Sequence, residues 1–318
     1  VSSGTAALHL ALKALGIGPG DTVLAPAFTF PATANVIEAL GAETVLCDVE
    51  PTSYVVTPEV LAGRITALKG RRLKAVMVVH EFGYPVRITE IADLCRRQGL
   101  LLIEDAACAL GTVADGHHPG HYGDVACLSF HPRKAITTGE GGAILTRRTE
   151  LAEQVARLRN HGMVRTPAGL DFQEAGLNYR LTDFQAALAL GQLDRFAEEL
   201  ARRRALAEVY RHELHGIPGL ALPDVPAGHS LQSFMVVLAA SISRDQVMAA
   251  LREAGIETNL GAQALNCLAY YRQKYRLEEH SCPVATRLYH SGLALPIFSA
   301  LTEDDISHIC RCVRKILG

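Results

Sequence analysis

Short apolar runs alternate with amphipathic stretches through the first half of the chain, and each change of period marks a change of element. Residues 22–25, 44–48, 74–80, 100–105, 124–130 and 143–146 are brief apolar runs, the pattern of buried strands. Residues 6–15, 31–40, 58–68, 88–98 and 151–159 carry apolar positions at helical spacing. A hydroxyl–glycine cap, Ser2-Ser3-Gly4-Thr5, opens the first helix, and the Gly-rich turn 16–21 closes it. Pro31 opens the second. Strand–helix alternation of this kind predicts an α/β fold, a mostly parallel sheet flanked by helices on both faces.

Beyond residue 160 the pattern changes. Asn160-His161-Gly162 breaks a helix, and 163–175, rich in Gly, Pro and charge, reads as a loop suited to lying over a site. Residues 182–214 read as one long helix with Phe184, Ala187, Leu188, Gly191 and Leu193 on its apolar face. A domain junction is expected within it, near 205, giving a large domain over 1–205 and a smaller α+β domain over 206–318. In the latter, 233–238 predicts a strand, and 243–254, 283–292 and 302–317 predict helices. No internal repeat or low-complexity tract interrupts the chain.

Composition narrows the function classes. The 318 residues are 49% hydrophobic and 20% charged, with a formal net charge of -2, an ordinary globular balance that offers no electrostatic basis for nucleic-acid binding. No apolar run reaches bilayer-spanning length. The eight cysteines form no C-x-x-C pairs, and Cys127 lies inside an apolar run, which suits buried thiols in a reducing cytoplasm. His117-His118-x-x-His121, set among Gly and Pro, reads as a solvated loop in preference to a metal cluster. No G-x-G-x-x-G fingerprint supports a nicotinamide oxidoreductase.

The chemistry concentrates between two predicted strands, where Ser129-Phe130-His131-Pro132-Arg133-Lys134 runs on to Gly139-Glu140-Gly141-Gly142. One lysine sits in a loop of glycines and hydroxyls. The plain alternative is a β-turn with a solvated lysine. Two other apolar runs end in reactive groups, one at His80 and one at Glu104-Asp105. Open α/β sheets bind ligands at the carboxyl ends of their strands, so one edge would present His80, Asp105 and Lys134. A lysine nucleophile is expected to have its pKa lowered by a desolvated pocket floor. The N-terminus of the first helix offers N–H groups and a positive dipole end to a phosphate. Carboxylate, lysine and aromatic groups beside a phosphate site make up the protein side of a pyridoxal phosphate (PLP) pocket. His80 and His131 are open to structural or catalytic roles, and Phe30 to a core or a stacking role.

Six stretches, in order, resemble the DegT/DnrJ/EryC1/StrS family of PLP-dependent sugar aminotransferases, fold type I: residues 3–12, 26–33, Glu104-Asp105-Ala106-Ala107, 129–142, Asn160-His161-Gly162 and Asn178-Tyr179-Arg180-Leu181-Thr182-Asp183. The resemblance implies that Lys134 forms the Schiff base, Asp105 pairs with the ring nitrogen, and Phe30 stacks on the ring. It implies that Ser3, Gly4, Thr5 and Ser129 bind the phosphate, and that Asn178 reaches the phosphate in the neighbouring subunit of a homodimer. Cys108 stands where relatives commonly carry Gln or His, which alters the contact to the ring hydroxyl, since a thiol donates hydrogen bonds weakly. The implied reaction moves an amino group from glutamate or glutamine to a keto sugar, most readily a nucleotide-linked one. A dehydratase or lyase of the same fold is an alternative that Lys134 opposes, because dehydratase relatives replace that lysine with histidine. A non-catalytic regulatory relative is another, opposed by the paired Lys134 and Asp105. Relatives extend several tens of residues ahead of Val1, so the sequence is expected to be a piece of a longer chain.

Overall fold

The computed structural model describes residues 1–318. Helix α1 (Gly4–Ala14) is capped by Ser3, whose hydroxyl accepts the Ala6 N–H at 3.0 Å. It is followed by β1 (Thr22–Pro26), β2 (Phe28–Thr29), α2 (Ala32–Ala39), β3 (Glu43–Cys47), α3 (Pro58–Ala67), β4 (Leu73–Val79), α4 (Ile88–Gln98), β5 (Leu101–Asp105), β6 (Val125–Ser129) and β7 (Gly142–Leu145). Six of these strands form one sheet in the order β3-β1-β4-β5-β6-β7. All pair in parallel except β7, which runs antiparallel to β6. The predicted α/β class and mostly parallel sheet are therefore what the chain forms.

The sheet is covered on both faces, and for that reason its strands are apolar at nearly every position. Successive residues point to opposite faces. Leu24, Val76, Val78 and Leu102 enter one core with Phe28, Leu61, Ile88 and Ile91. Val23, Ala25, Ala75, Met77 and Ile103 enter the other with Leu8, Leu12 and Ile37. The carboxyl ends of β4, β5 and β6 then lie side by side, with Val79 opposite Asp105 and Asp105 opposite Cys127.

The chain continues through α5 (Thr149–Leu158), β8 (Met163–Thr166), β9 (Gly169–Phe172), α6 (Asp183–Leu193), α7 (Phe196–Leu214), β10 (Leu220–Ala221), β11 (Phe234–Leu238), α8 (Arg244–Glu253), β12 (Gln263–Ala264), α9 (Ala269–Tyr275), α10 (Pro283–Ser291), β13 (Gly292–Leu295) and α11 (Glu303–Leu317). Strands β10, β11 and β13 form a second, antiparallel sheet. A third core, including Leu206, Tyr210, Phe234, Leu251 and Ile306, packs it against α7, α8 and α11. Strand β12 returns to pair with β2, setting Gln263 opposite Thr29. No helix is long and apolar enough to cross a membrane, and all eight cysteines are free thiols.

Two expectations about elements are corrected. The single helix over 182–214 is two, broken at Asp194 and Arg195. The halves answer to different partners. Gln192 of α6 clamps the lysine loop, accepting the Thr137 N–H at 2.9 Å and donating to the Thr137 carbonyl at 2.6 Å. Helix α7 packs along α11 instead. The expected loop over 163–175 contains an antiparallel hairpin, β8 with β9, closed by Pro167 and Ala168. Its Leu170 and Phe172 remain exposed, so the pairing carries no inside–outside alternation for a sequence reading to detect.

Candidate active site

The turn after β6 is built by its own backbone and leaves its lysine side chain free. Phe130 N–H donates to the Gly141 carbonyl at 2.8 Å, Thr138 N–H to the Phe130 carbonyl at 3.0 Å, and Lys134 N–H to the His131 carbonyl at 2.8 Å. His131 serves the turn, since its Nδ1 accepts the Arg133 N–H at 3.2 Å. Lys134 Nζ thereby reaches over the strand ends and donates to Cys108 Sγ at 3.0 Å.

Asp105 ends β5 fully inside. Its Oδ2 accepts the Thr33 hydroxyl at 2.8 Å and its Oδ1 the Ala107 N–H at 3.1 Å. Thr33 in turn lies 2.9 Å from Thr29 Oγ1. Burial pushes the Asp105 carboxyl above its ordinary range, against the pull of those hydrogen bonds and of the Lys134 charge. An anionic Asp105 therefore needs a cationic partner of the kind a protonated pyridine nitrogen supplies.

The expected lowering of the Lys134 pKa is corrected. Burial acts in that direction, yet Cys108, Glu81 and Asp105 together hold the ammonium above its ordinary value. Burial also raises the Cys108 thiol despite Lys134. Lys134 is thus an ammonium that donates to Cys108 Sγ. Cys108 is in direct contact with the lysine.

Across the sheet edge, Gly4 meets Ser129. A Cβ at Gly4 would stand 2.7 Å from Ser129 Cβ, so only glycine lets the start of α1 approach the end of β6 this closely. The first N–H groups of α1, at Gly4 and Thr5, have no partner within the helix and face outward with the dipole's positive end. The hydroxyls of Ser3 and Ser129 stand beside them. This cup and the Lys134–Asp105 pair fit PLP: an anion seat at one end, a buried carboxylate at the other, and an amine between.

The remaining expected residues are more dispersed. Phe30 follows β2 and is 61% exposed, so it is not a core residue and is available to cover a ring. Asn178 is exposed, and its side chain makes no hydrogen bond within the chain. The neighbouring Tyr179 carbonyl accepts the Ser2 N–H at 2.9 Å, which ties this segment to the start of α1. His80 is turned away from the lysine. It is buried, and its Nε2 lies 2.9 Å from Glu104 Oε2, while Glu104 Oε1 accepts the Gly120 and Gly123 N–H groups at 3.0 Å each. These two residues hold the loop before β6.

Two residues of the site were not singled out from the sequence. Thr33 is one, a hydroxyl on the first turn of a helix that would pass as a simple helix residue. Glu81 is the other. It follows His80, is 6% exposed, and faces Lys134 and Asp105. Burial pushes its carboxyl up to about 7, although the Lys134 charge pulls it down. An acid placed directly after a buried strand was the available signal.

Known proteins resemble this chain along nearly its whole length. The sequence model of the DegT/DnrJ/EryC1/StrS aminotransferase family matches residues 1–314. The GDP-perosamine synthase of Vibrio cholerae is 35% identical over 320 residues, which cover 99% of this chain and 85% of that protein. The crystal structure of the aminotransferase TlmJ from Streptoalloteichus hindustanus superimposes with a TM-score of 0.91 at 36% identity, covering 99% of this chain and 84% of the other. A DegT DnrJ EryC1 StrS aminotransferase from Brucella abortus gives 0.92 at 33% identity, covering 100% and 85%. The chain belongs to the DegT/DnrJ/EryC1/StrS aminotransferase family and is a PLP-dependent aminotransferase of amino-sugar chemistry.

Proposed function

We propose that the chain transfers an amino group from glutamate or glutamine to the carbonyl carbon of a nucleotide-linked keto sugar. The observation that carries this reading is the half-buried Lys134 over the buried Asp105, beside the Gly4–Ser129 cup. The nucleotide-linked substrate is supported by the 35% identity to a GDP-perosamine synthase. Bound PLP supplies an electron sink conjugated to the reacting carbon. Asp105 holds a proton at the ring nitrogen. Lys134 Nζ would be the covalent anchor and, as the free amine, the base that moves the proton off the donor's α-carbon. Ser3, Gly4, Thr5 and Ser129 seat the phosphate, Phe30 covers the ring, and Cys108 takes the place of the usual partner of the ring hydroxyl. The segment 255–261 shapes the sugar pocket in this reading. Gly261 comes up against Phe82, next to Glu81.

The amino donor is expected to act alone in the first half-reaction, converting bound PLP to the pyridoxamine form before any sugar is added. Absorbance of the holoenzyme mixed with glutamate, then glutamine, checks this. Conversion by either donor is the expected result. Consumption of keto sugar without conversion would favour the lyase reading instead.

The working unit we propose is a homodimer. Leu177 beside Asn178 in the chain, and Phe184, Leu188, Leu190 and Leu193 of α6, are exposed, with Phe184 at 88%, apolar area that water does not favour. Asn178 acts in the neighbour's site on this reading. A hydrogen bond to a charged phosphate contributes about 1.5–3 kcal/mol, so Asn178→Ala should weaken PLP binding roughly ten- to a hundredfold. Hybrid dimers of Lys134→Ala with Asn178→Ala subunits would contain one site free of both lesions and should regain activity. No recovery despite demonstrated subunit exchange would assign Asn178 to its own subunit's site. The proposed domain division falls near residue 205, within α7, supported by the separate core that begins at Leu206. The proposed compartment is the cytoplasm, supported by the eight free thiols.

A further inference from the structure

Glu81 is the one buried ionisable group at the lysine for which the family reaction supplies no task. It is the first residue of a 3-10 turn, Glu81–Gly83, that follows β4, and the chain reverses there through a left-handed Phe82 at φ 55° and Gly83 at φ 88°. A non-glycine residue in that region is strained, and the strain is held by packing. The Phe82 ring lies 6.3 Å from Phe28 and 6.1 Å from Tyr54. The result is a glutamate turned inward, 6% exposed as a residue.

The groups facing it come from each element around the pocket. Lys134 comes from the loop after β6, Asp105 from the end of β5, Cys108 from the segment beyond, and Thr29 from β2. His80, next in sequence, is committed to Glu104. Thr33 donates to Asp105 at 2.8 Å and lies 2.9 Å from the Thr29 hydroxyl, and Thr29 on the Glu81 side favours the charged carboxyl.

We propose that Glu81 is the proton-holding residue of this site, ionised while Lys134 is a free ammonium and protonated once Lys134 is joined to the cofactor. This rests on Lys134 being the anchor. When the Lys134 ammonium condenses with an aldehyde, its nitrogen gains a double bond to carbon, and two of its three protons leave with the carbonyl oxygen as water. The third proton passes to the Glu81 carboxylate, and nothing is oxidised or reduced. Asp105 keeps its charge because Thr33 and the Ala107 N–H both donate to it. Glu81 loses the Lys134 ammonium that favoured its charge and becomes the neutral acid. It acts through Lys134, and it is a positioning residue in that sense.

The experiment counts protons on adding PLP to the apoenzyme, one pH unit above the Glu81 midpoint of about 7. Calorimetry in buffers of different ionisation enthalpy gives the number, and the visible band confirms attachment at Lys134. Wild type should retain the proton, and Glu81→Gln should release about one more proton per site. Equal release from the two would overturn the proposal. Failure of the band to form in wild type would instead overturn the anchor. If Glu81→Gln does not fold, infrared difference spectra of wild type replace it. A protonated-carboxyl band should appear on PLP addition and shift with carboxyl-labelled glutamate, and its absence would overturn the proposal.

Discussion

Lys134→Ala is expected to reduce transamination to the uncatalysed level while leaving the fold intact. The turn that carries Lys134 is closed by backbone hydrogen bonds from Phe130, Lys134 and Thr138, none of which uses the side chain. Its only side-chain bond is to Cys108 Sγ. Removing the amine therefore leaves the turn standing, and it deletes both the covalent anchor and the group that moves the proton. Proton transfer by a positioned group contributes roughly 10²–10⁴-fold by itself, and loss of the anchor adds to that. Circular dichroism and thermal melting check the fold, and turnover of a keto sugar with glutamate checks the activity. Lys134→Arg keeps a cation beside Asp105 and Glu81 and should be equally inactive. An active arginine variant would mean that the lysine serves only as a charge.

Asp105→Asn is expected to carry the second largest loss. The carboxylate is buried and accepts hydrogen bonds from Thr33 and Ala107, so its position is fixed before any cofactor arrives. Breaking a buried charged pair typically costs about 3–5 kcal/mol, equivalent to roughly 10²–10⁴ in affinity or rate. The loss should be divided between weaker PLP binding and a lower kcat, because the ring nitrogen is no longer held protonated. The apoenzyme should show the opposite sign in stability. Burial raises the Asp105 pKa, so the native state binds more protons than the unfolded chain as pH climbs through the carboxyl range. That contribution to stability is complete below the unfolded pKa and is lost as pH rises through the folded one. Apo wild type should thus lose Tm between acid and neutral pH, and apo Asp105→Asn should lose less. A steeper decline in the variant would contradict the assigned direction.

The parts of the fold legible in the sequence are those where one local rule decides. Strands β4, β5 and β6 are apolar throughout because both sheet faces are covered, and such runs stand out without tertiary knowledge. Ser3 marks α1 by a side-chain cap that sequence alone suggests. The break at Asp194 was not legible, because it depends on Gln192 clamping Thr137 across 55 residues of chain. The hairpin of β8 and β9 was hidden because Leu170 and Phe172 bury nothing within the chain. At the site, Lys134 and Asp105 were readable from the strand ends. The direction of the Lys134 pKa was not, since burial argued for a fall and the net charge of three neighbours decided otherwise. Glu81 was missed for a related reason. A glutamate after a strand is ordinarily a solvated loop residue, and only the left-handed Phe82 turns this one inward.

The central claim is that this pocket holds PLP through Lys134, and chemical trapping tests it most directly. Holoenzyme reduced with borohydride and digested should yield a single peptide bearing the pyridoxyl group, with the label on Lys134. A label on any other lysine, or no covalent label in an enzyme that turns over, would contradict the account.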